Sequence, residues 1–331
     1  MTYEQDAAAR FSEAGASVSG EAEAGDPAVT RMALAGLLAS PKTLPPSLFY
    51  DEEGCRLFYE ITRQPEYYLT RTELRLLETV APEAAAMLAA GTALIEYGAS
   101  DETKADYLLR LTGRFGAPVF DAYVPIDVAA PALSAMQARL AGRYPALLVR
   151  PLVADFMRPI ALPWDGPCLG FFPGSTIGNL EPEAAAGFLA RARRTLGDGA
   201  RLLLGFDTNR DPARLVPAYD DAQGVTAAFN RNLLARLNRE AGADFEPEQF
   251  AHRAVWNAAE SRIEMHLVSR VARTVHVGGR VVRFARDETI HTENSYKYAP
   301  ERMRALAGSA AWTVERTWTD PDGVFALWLL G

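Results

Sequence analysis

The stretch TALIEYGAS, residues 92–100, predicts a buried β-strand that runs directly into a tight turn. Its largely apolar run, which does not alternate with polar residues, is typical of a strand covered on both faces. Gly98 gives the turn the backbone freedom that a close approach to a ligand requires. A strand of this kind favours a sheet packed between layers of helices.

Helices and strands alternate along the chain after this strand. The apolar spacing predicts helices at 102–113, 131–142 and 181–194, and strands at 117–128, 146–156, 167–175 and 200–208. Alternation of this kind predicts an α/β fold with a doubly wound, mostly parallel, Rossmann-like sheet. The final stretch AWTVERTWTDPDGVFALWLLG, residues 311–331, predicts a C-terminal antiparallel hairpin around the turn DPDG.

A different pattern before residue 72 and after residue 208 predicts a second, smaller α+β domain. Its elements are a helix at 30–40, a long helix at 213–240, and antiparallel strands with period-two alternation within 256–277 and 280–290. We expect this domain to combine residues 29–71 with 209–297, and the larger domain to combine 72–208 with 298–331. Residues 1–28 are rich in Ala, Gly, Glu and Ser, which predicts a mobile tail.

The composition of the 331 residues limits the partners of the protein. A formal net charge of −8 argues against a nucleic-acid partner, because phosphate binding needs a basic field. The two cysteines, Cys55 and Cys168, are too few for a disulfide framework, which favours the cytoplasm. The apolar runs are too short to span a bilayer and the first residues, MTYEQDAAAR, lack a signal pattern, so we expect no membrane partner.

Three predicted strand ends carry residues that suit an adenosine ligand. In open parallel sheets, ligands bind beyond the carboxyl ends of the strands. Gly98 follows the first strand, Asp127 closes the second with a carboxylate that suits ribose hydroxyls, and Asp155 and Phe156 close the third. The Asp155 carboxylate suits an exocyclic amine, and the Phe156 ring suits one face of a purine.

The choice between NAD and S-adenosylmethionine as the ligand depends on whether the sequence contains a phosphate-binding motif. The sequence contains neither GxGxxG nor GxxxxGK[ST], so nothing in it predicts a pyrophosphate cradle. This favours S-adenosylmethionine. GSTIG is not the GxSxG elbow of a serine hydrolase. The four histidines, His252, His266, His276 and His291, lack HExxH spacing, so we expect no metal site.

Six motifs occur in order along the chain: FYDEEG (49–54), PEYYLTRTE (65–73), PGSTIGN (173–179), YDDAQGVTAAFNRN (219–232), SRIEM (261–265) and TENSYK (292–297). With them the sequence resembles the histidine-specific N-alpha-methyltransferases that begin ergothioneine biosynthesis, from about residue 30 to the end. The resemblance implies a methyltransferase sheet with a separate substrate-binding domain. It also implies trimethylation of the α-amino group of L-histidine to hercynine, with S-adenosylmethionine as donor. We expect a monomer whose only partners are these two small molecules.

The resemblance also implies site residues. Those implied for the substrate are Tyr50 at the entrance, Tyr67 near the amine, Asn179 and Tyr219 at the amine and the α-carboxylate, Met265 beside the ring, and Glu293 with Ser295 on the imidazole. Tyr67 and Asn179 are also the candidate catalytic residues. Those implied for the donor are Gly98, Lys104, Asp127, Asp155 and Phe156. Ser100 departs from the family pattern, which has a glycine there.

The segment ETIHTENSYKY, residues 288–298, raises the question of specificity. Glu293 and Ser295 are two apart, so they share one side of an extended chain. A carboxylate and a hydroxyl together match both nitrogens of an imidazole, whereas indole and phenol offer less. Two other functions stay open: methylation of another amino acid or a tryptophan derivative, and S-adenosylmethionine binding without turnover.

Overall fold

Two large sheets organise the chain in the computed structural model, which describes residues 26–113 and 116–331. The helices are α1 (Pro27–Leu37), α2 (Glu52–Thr62), α3 (Tyr68–Ala85), α4 (Asp106–Leu109), α5 (Ala130–Arg143), α6 (Pro182–Leu196), α7 (Pro212–Tyr219), α8 (Val225–Glu240) and α9 (Pro300–Ser309). Short 3-10 helices span Pro46–Phe49, Thr176–Asn179 and Pro247–Gln249.

The strands follow the same order along the chain. They are β1 (Lys42–Thr43), β2 (Thr92–Tyr97), β3 (Phe120–Asp127), β4 (Leu148–Val149), β5 (Leu152–Val153), β6 (Cys168–Phe172), β7 (Arg201–Asp207), β8 (Phe250–Asn257), β9 (Arg262–Ser269), β10 (Arg273–Val277), β11 (Arg280–Phe284), β12 (Thr289–Tyr296), β13 (Val314–Thr319) and β14 (Phe325–Leu330).

The larger sheet has the order β13-β14-β7-β6-β2-β3-β4, with β5 also paired to β3. The strands from β7 to β4 run parallel, and the hairpin of β13 and β14 adds antiparallel to β7. The predicted doubly wound, mostly parallel sheet with a C-terminal antiparallel hairpin is therefore confirmed. Strand β2 is buried on both faces of the sheet. Ile95 packs in the core under α6 and α9, and Leu94 packs in the core under α3, α4 and α5.

The smaller sheet has the order β1-β12-β9-β8, and β10 pairs with β11 in a separate hairpin. Strand β9 alternates buried and half-buried residues, so Ile263, Met265 and Leu267 face the core while Glu264 and His266 face away. Helix α8 covers the buried face with Leu233 and Leu237, among others. Burying each such side chain contributes about 1.5–3 kcal/mol. The predicted domain boundaries at 71/72, 208/209 and 297/298 remain a prediction.

Three predicted elements differ in the structure. The strand expected at 146–156 is two pairs of residues, β4 and β5, separated by Pro151, which has no N–H for the ladder. The helix at 102–113 is the single turn α4. The helix at 213–240 is two helices, because Gly224 takes a left-handed φ of +73° and the Asp221 carboxylate accepts from the first amides of α8, those of Val225 and Thr226.

Residues 1–25 of the predicted tail (1–28) lie outside the described residues. The Asp26 carboxylate accepts from the amide of Ala28 at 2.7 Å, and α1 begins at Pro27. Residues 27 and 28 therefore belong to a helix rather than to a tail. None of the helices within 26–113 and 116–331 is long and apolar enough to cross a membrane.

Candidate active site

The predicted donor residues gather at the carboxyl ends of β2, β3 and β5. Gly98 adopts a left-handed φ of +75°, and a Cβ placed there would lie 3.5 Å from the Phe156 ring. The amide of Gly98 donates to the Ile126 carbonyl, and that of Ala154 to the Asp127 carbonyl, so the three strand ends are joined. This arrangement leaves an open backbone turn beside an aromatic face. Its role in donor binding remains a prediction.

The two predicted donor carboxylates differ in environment. Asp127 is half-buried, and its Oδ1 accepts from the amide of Ala129 at 2.8 Å. Burial raises the pKa of Asp127, against the lowering effect of nearby backbone amides. Asp155 is exposed, accepts from the amide of Met157 at 2.8 Å, and lies 3.4 Å from the Arg158 guanidinium. Asp127 is therefore less hydrated than Asp155, so a hydrogen bond from a ligand would stabilise its carboxylate more.

The side chain of Lys104 forms an ion pair within the protein. Its Nζ lies 2.7 Å from Oε2 of Glu73, a fully buried carboxylate on α3. Both oxygens of Glu73 also accept from the amide of Gly174, at 2.8 and 3.0 Å. Lys104 and Glu73 thus tie α3 to the loop that follows β6. Ser100, which replaces the family's glycine, is exposed beside Tyr59 of α2.

A β-bulge orients the predicted imidazole-binding pair. On β12, His291 pairs with His266 and Glu293 pairs with Met265, so Thr292 is an extra residue in the strand. One extra residue reverses the side of every residue after it. Glu293 and Ser295 consequently face the same buried side as Met265, with Glu293 only 8% exposed. Without the bulge, both would face the outer surface of the sheet.

A buried lysine joins this pair to the larger sheet. The Nζ of Lys297 donates to the Tyr219 hydroxyl at 2.7 Å and the Ser295 hydroxyl at 3.0 Å, and lies 2.9 Å from Oδ2 of Asp207. The Tyr219 and Ser295 oxygens are 2.8 Å apart. Lys297 and Asp207 are both fully buried. We refer to Asp207, Tyr219, Ser295 and Lys297 as the Lys297 cluster.

The remaining predicted substrate residues lie around this cluster. Tyr67 is buried edge-on to Tyr219, with ring centroids 6.2 Å apart, and burial followed by the proximity of Tyr219 and Glu293 raises its pKa. Tyr50 is 45% exposed, and its ring lies edge-on to Phe229.

Asn179 ends the 3-10 helix that packs against β12. A Cβ at Gly178 would lie 2.6 Å from the Tyr296 carbonyl, so this helix approaches the strand closely. The cap of α6 is Glu181, so Asn179 is not used as that cap. This 3-10 helix contacts both β7 and β12, and Asn179 at its end is half-buried. The roles of all these residues remain predictions.

Sequence reasoning missed Asp207, Lys297 and Tyr68. The Tyr68 hydroxyl donates to Oδ2 of Asp207 at 2.7 Å, and the Asn209 side chain donates to Tyr68 at 3.1 Å. Two signals pointed to these residues, since Asp207 ends a parallel strand and Lys297 ends the TENSYK motif.

Glu293 has an unusual titration. Burial raises the pKa of its carboxyl from 4.5 to about 7, and the nearby charge of Lys297 opposes the shift. Around neutral pH the group therefore exists in both protonation states in the free protein. A ligand that donates a hydrogen bond to the carboxylate will favour the ionised state.

We predict that Glu293→Gln flattens the pH dependence of stability. The folded protein keeps a proton on Glu293 that the unfolded chain releases above about pH 4.5, so this group's stabilising contribution is complete below that pH and is lost as pH rises to about 7. The loss is on the order of 3 kcal/mol. Urea unfolding of both proteins at pH 5 and pH 8 measures the difference. Nearly equal stability at pH 5, where most of the contribution remains, and a more stable variant at pH 8 are expected, whereas parallel curves would show that the carboxyl titrates normally.

Comparison with known proteins identifies the family. The family model described as "Histidine-specific methyltransferase, SAM-dependent" matches residues 29–331. The histidine N-alpha-methyltransferase of Mycolicibacterium smegmatis is 44% identical over 303 residues, covering 91% of this chain and 94% of that protein. That of Mycobacterium tuberculosis is 42% identical over 308 residues, covering 92% and 95%.

A longer fungal protein also matches. Ergothioneine biosynthesis protein 1 of Neurospora crassa is 29% identical over 288 residues, covering 84% of this chain and 32% of that protein. The match of the family model to nearly all the described residues agrees with the methyltransferase topology of the larger sheet. The chain therefore belongs to the family of S-adenosylmethionine-dependent, histidine-specific methyltransferases.

Proposed function

We propose that the protein transfers three methyl groups from S-adenosylmethionine to the α-amino group of L-histidine, giving hercynine, the first step of ergothioneine biosynthesis. The observation that carries this proposal is the buried carboxylate of Glu293 beside the hydroxyl of Ser295, both facing Met265 and Tyr219. The two closely similar mycobacterial relatives bear the name of this activity.

Hydrogen-bond accounting in the Lys297 cluster supports a neutral imidazole as ligand. An ammonium only donates, so the Tyr219 and Ser295 oxygens both accept from Lys297. One of the two hydroxyl groups donates its proton to the other, since the two oxygens are 2.8 Å apart. The proton of the other hydroxyl is then free to be donated to a ligand. The cluster therefore offers one donor to a ring nitrogen lone pair, while ionised Glu293 accepts from the ring N–H.

The same accounting disfavours other aromatic amino acids. Indole has only a donor, so it would leave the cluster's hydroxyl proton unmatched, and a benzene ring would leave both groups unmatched. An unpaired buried polar group costs about 1–3 kcal/mol, and more if it is charged. The side chain of Met265 supplies an apolar wall that a ring of any kind tolerates. Specificity for histidine therefore rests on Glu293 and the cluster.

The residues at the strand ends fit S-adenosylmethionine. Gly98 leaves room for a ligand to approach the backbone, Phe156 offers a ring face, and Asp127 keeps acceptor capacity beyond its bond to Ala129. Asp155 adds a second, exposed acceptor, and Lys104 supports the loop after β6 through Glu73. When bound, S-adenosylmethionine supplies an electrophilic methyl group on a sulfonium. We propose no metal for the methyl transfer.

The chain's own contribution to the transfer is to position an uncharged amine. Aligning an amine lone pair with the reacting carbon contributes several kcal/mol, on the order of what intramolecular reactions gain. Tyr67, Tyr219 and Asn179 are neutral groups, so they orient the nitrogen without stabilising it as an ammonium. The third transfer involves an amine with no N–H, so its orientation must come from contacts at the imidazole and the carboxylate.

We predict that Asp127→Asn weakens binding of S-adenosylhomocysteine about tenfold. The change removes the charge from a carboxylate expected to accept from both ribose hydroxyls, and hydrogen bonds to charged groups contribute about 1.5–3 kcal/mol. Isothermal titration calorimetry measures the effect. Asp121→Asn is the matched control, because Asp121 lies on the same strand β3 but is exposed. Equal affinities for the two variants would remove Asp127 from the donor site.

An assay with the standard amino acids tests the proposed function. Purified protein is incubated with S-adenosylmethionine and each amino acid, and the products are analysed by mass spectrometry. A product heavier by three CH₂ units from histidine alone is expected. Product from a different amino acid, or S-adenosylmethionine binding without any product, would overturn the assignment.

A further inference from the structure

A second polar cluster lies on the outer face of the smaller sheet, behind the bulge that carries Glu293. Glu264 and His266 are two residues apart on β9 and face away from the core, and His291 of β12 pairs directly with His266. One possible ligand atom from each of the three residues lies within 4.8 Å of the other two. All three side chains are half-buried.

The donor set of this cluster suits a cation. It combines a carboxylate with two imidazoles, which are groups that bind zinc and other transition metals in proteins.

Two of the three ligand candidates, Glu264 and His291, have supporting hydrogen bonds. Oε1 of Glu264 accepts from Asn257 and Arg262, both at 2.8 Å, and Oε2 lies on the side of His266, 3.2 Å from its Nε2. Nε2 of His291 lies 3.1 Å from the Glu293 carbonyl, so this nitrogen carries the proton and Nδ1 keeps its lone pair. Such outer contacts to carbonyls and carboxylates are usual for metal ligands.

The cluster also contains an unsatisfied atom. Nδ1 of His266 is buried and has no hydrogen-bond partner within residues 26–113 and 116–331. A buried polar atom without a partner is unfavourable by about 1–3 kcal/mol. Among the ligands that a pair of imidazoles and one carboxylate accept, Zn²⁺ matches best, since His₂Glu is an established zinc-binding set.

We propose that Glu264, His266 and His291 bind one Zn²⁺ ion on the outer face of the smaller sheet. The imidazoles are stacked, with centroids 4.8 Å apart and planes 26° apart. Zinc lies in the plane of each imidazole at about 2.0–2.1 Å from nitrogen. The rings must therefore turn about their χ angles until both lone pairs meet, while the strand register stays unchanged.

The prediction that no histidine is a metal ligand rested on helical HExxH spacing, which does not detect residues that meet across paired strands. The proposed site lies opposite the histidine pocket on the same two strands. His291 also holds the carbonyl of Glu293, so an ion here restrains the bulge that orients that carboxylate. The ion is thus assigned a structural role, separate from methyl transfer.

Zinc binding by the full chain tests the proposal without any measurement of activity. Protein treated with EDTA and dialysed is titrated with Zn²⁺ by calorimetry, and cobalt substitution is followed by visible absorption. One ion per chain is expected, with a cobalt spectrum typical of a four-coordinate site. The double variant His266→Gln/His291→Gln is expected to bind zinc at least about tenfold more weakly. Loss of an outer contact alone weakens metal binding about 10- to 100-fold, so loss of two ligands should weaken it by at least the smaller factor.

Two further variants keep this test decisive. His276→Gln is the matched control, because His276 lies in an exposed pair with Asp244, 2.8 Å away, and it is expected to bind zinc like the unchanged protein. Glu264→Gln replaces the double variant if the latter does not fold, as judged by binding of S-adenosylhomocysteine. The proposal is overturned if the unchanged protein takes up no zinc, or if the site variants bind it as tightly as the His276 control.

Discussion

Glu293→Gln is expected to weaken histidine binding by about tenfold or more while leaving S-adenosylhomocysteine binding unchanged. The variant keeps the size of the side chain but replaces the negative charge with an amide. A charge-assisted hydrogen bond to the ring N–H is lost, and this corresponds to about 1.5–3 kcal/mol. Since Glu293 is on β12 and the donor residues are at the ends of β2, β3 and β5, the donor site stays intact.

Isothermal titration calorimetry with histidine, in the presence of S-adenosylhomocysteine, measures this effect. Glu288→Gln is a suitable control, because Glu288 immediately precedes the same strand but forms a partly exposed ion pair with Lys42. The control is expected to bind histidine normally. Unchanged histidine affinity in Glu293→Gln would mean that the carboxylate does not contact the imidazole.

Lys297→Met is expected to destabilise the protein by about 3–5 kcal/mol. The substitution leaves the fully buried carboxylate of Asp207 without its cation, and breaking a buried pair from one side has an effect of this size. It also removes the donor that both Tyr219 and Ser295 accept from. Histidine binding should weaken too, because the hydroxyl protons then lose their fixed directions.

A double-mutant cycle separates the buried pair from general effects. Urea unfolding is compared for Lys297→Met, Asp207→Asn and the combination of both, and the combined variant is expected to lose less stability than the sum of the single variants. Lys42→Met is the control, because its pair with Glu288 is partly exposed, so breaking it is expected to have a smaller effect than breaking the fully buried pair. If Lys297→Met were no more destabilised than Lys42→Met, the buried pair would not be a major source of stability.

The sequence predicted the larger sheet well because its strands are continuous apolar runs. Parallel strands such as β2 and β6 are buried on both faces, so their composition reports their environment directly. Local chemistry limited the detail. Pro151 divided one predicted strand, and the Asp221 cap with Gly224 divided one predicted helix, although both signals were present in the sequence.

The candidate site was only partly predictable because it depends on pairing between distant strands. Alternation correctly put Glu293 and Ser295 on one side, but only the bulge at Thr292 makes that side the buried one. A bulge depends on the register with β9, which no local pattern specifies. Lys297 was missed for a similar reason, since a lysine is buried only where a partner such as Asp207 arrives from another sheet.

The most direct test of the proposed recognition is a crystal structure with L-histidine and S-adenosylhomocysteine bound. One ring nitrogen is expected within hydrogen-bonding distance of the Glu293 carboxylate, and the other within reach of the Ser295 or Tyr219 hydroxyl. The α-amino group should lie between the ring and the donor site, near Tyr67 and Asn179. A histidine ring bound elsewhere, with Glu293 facing solvent, would contradict the assignment of this pocket.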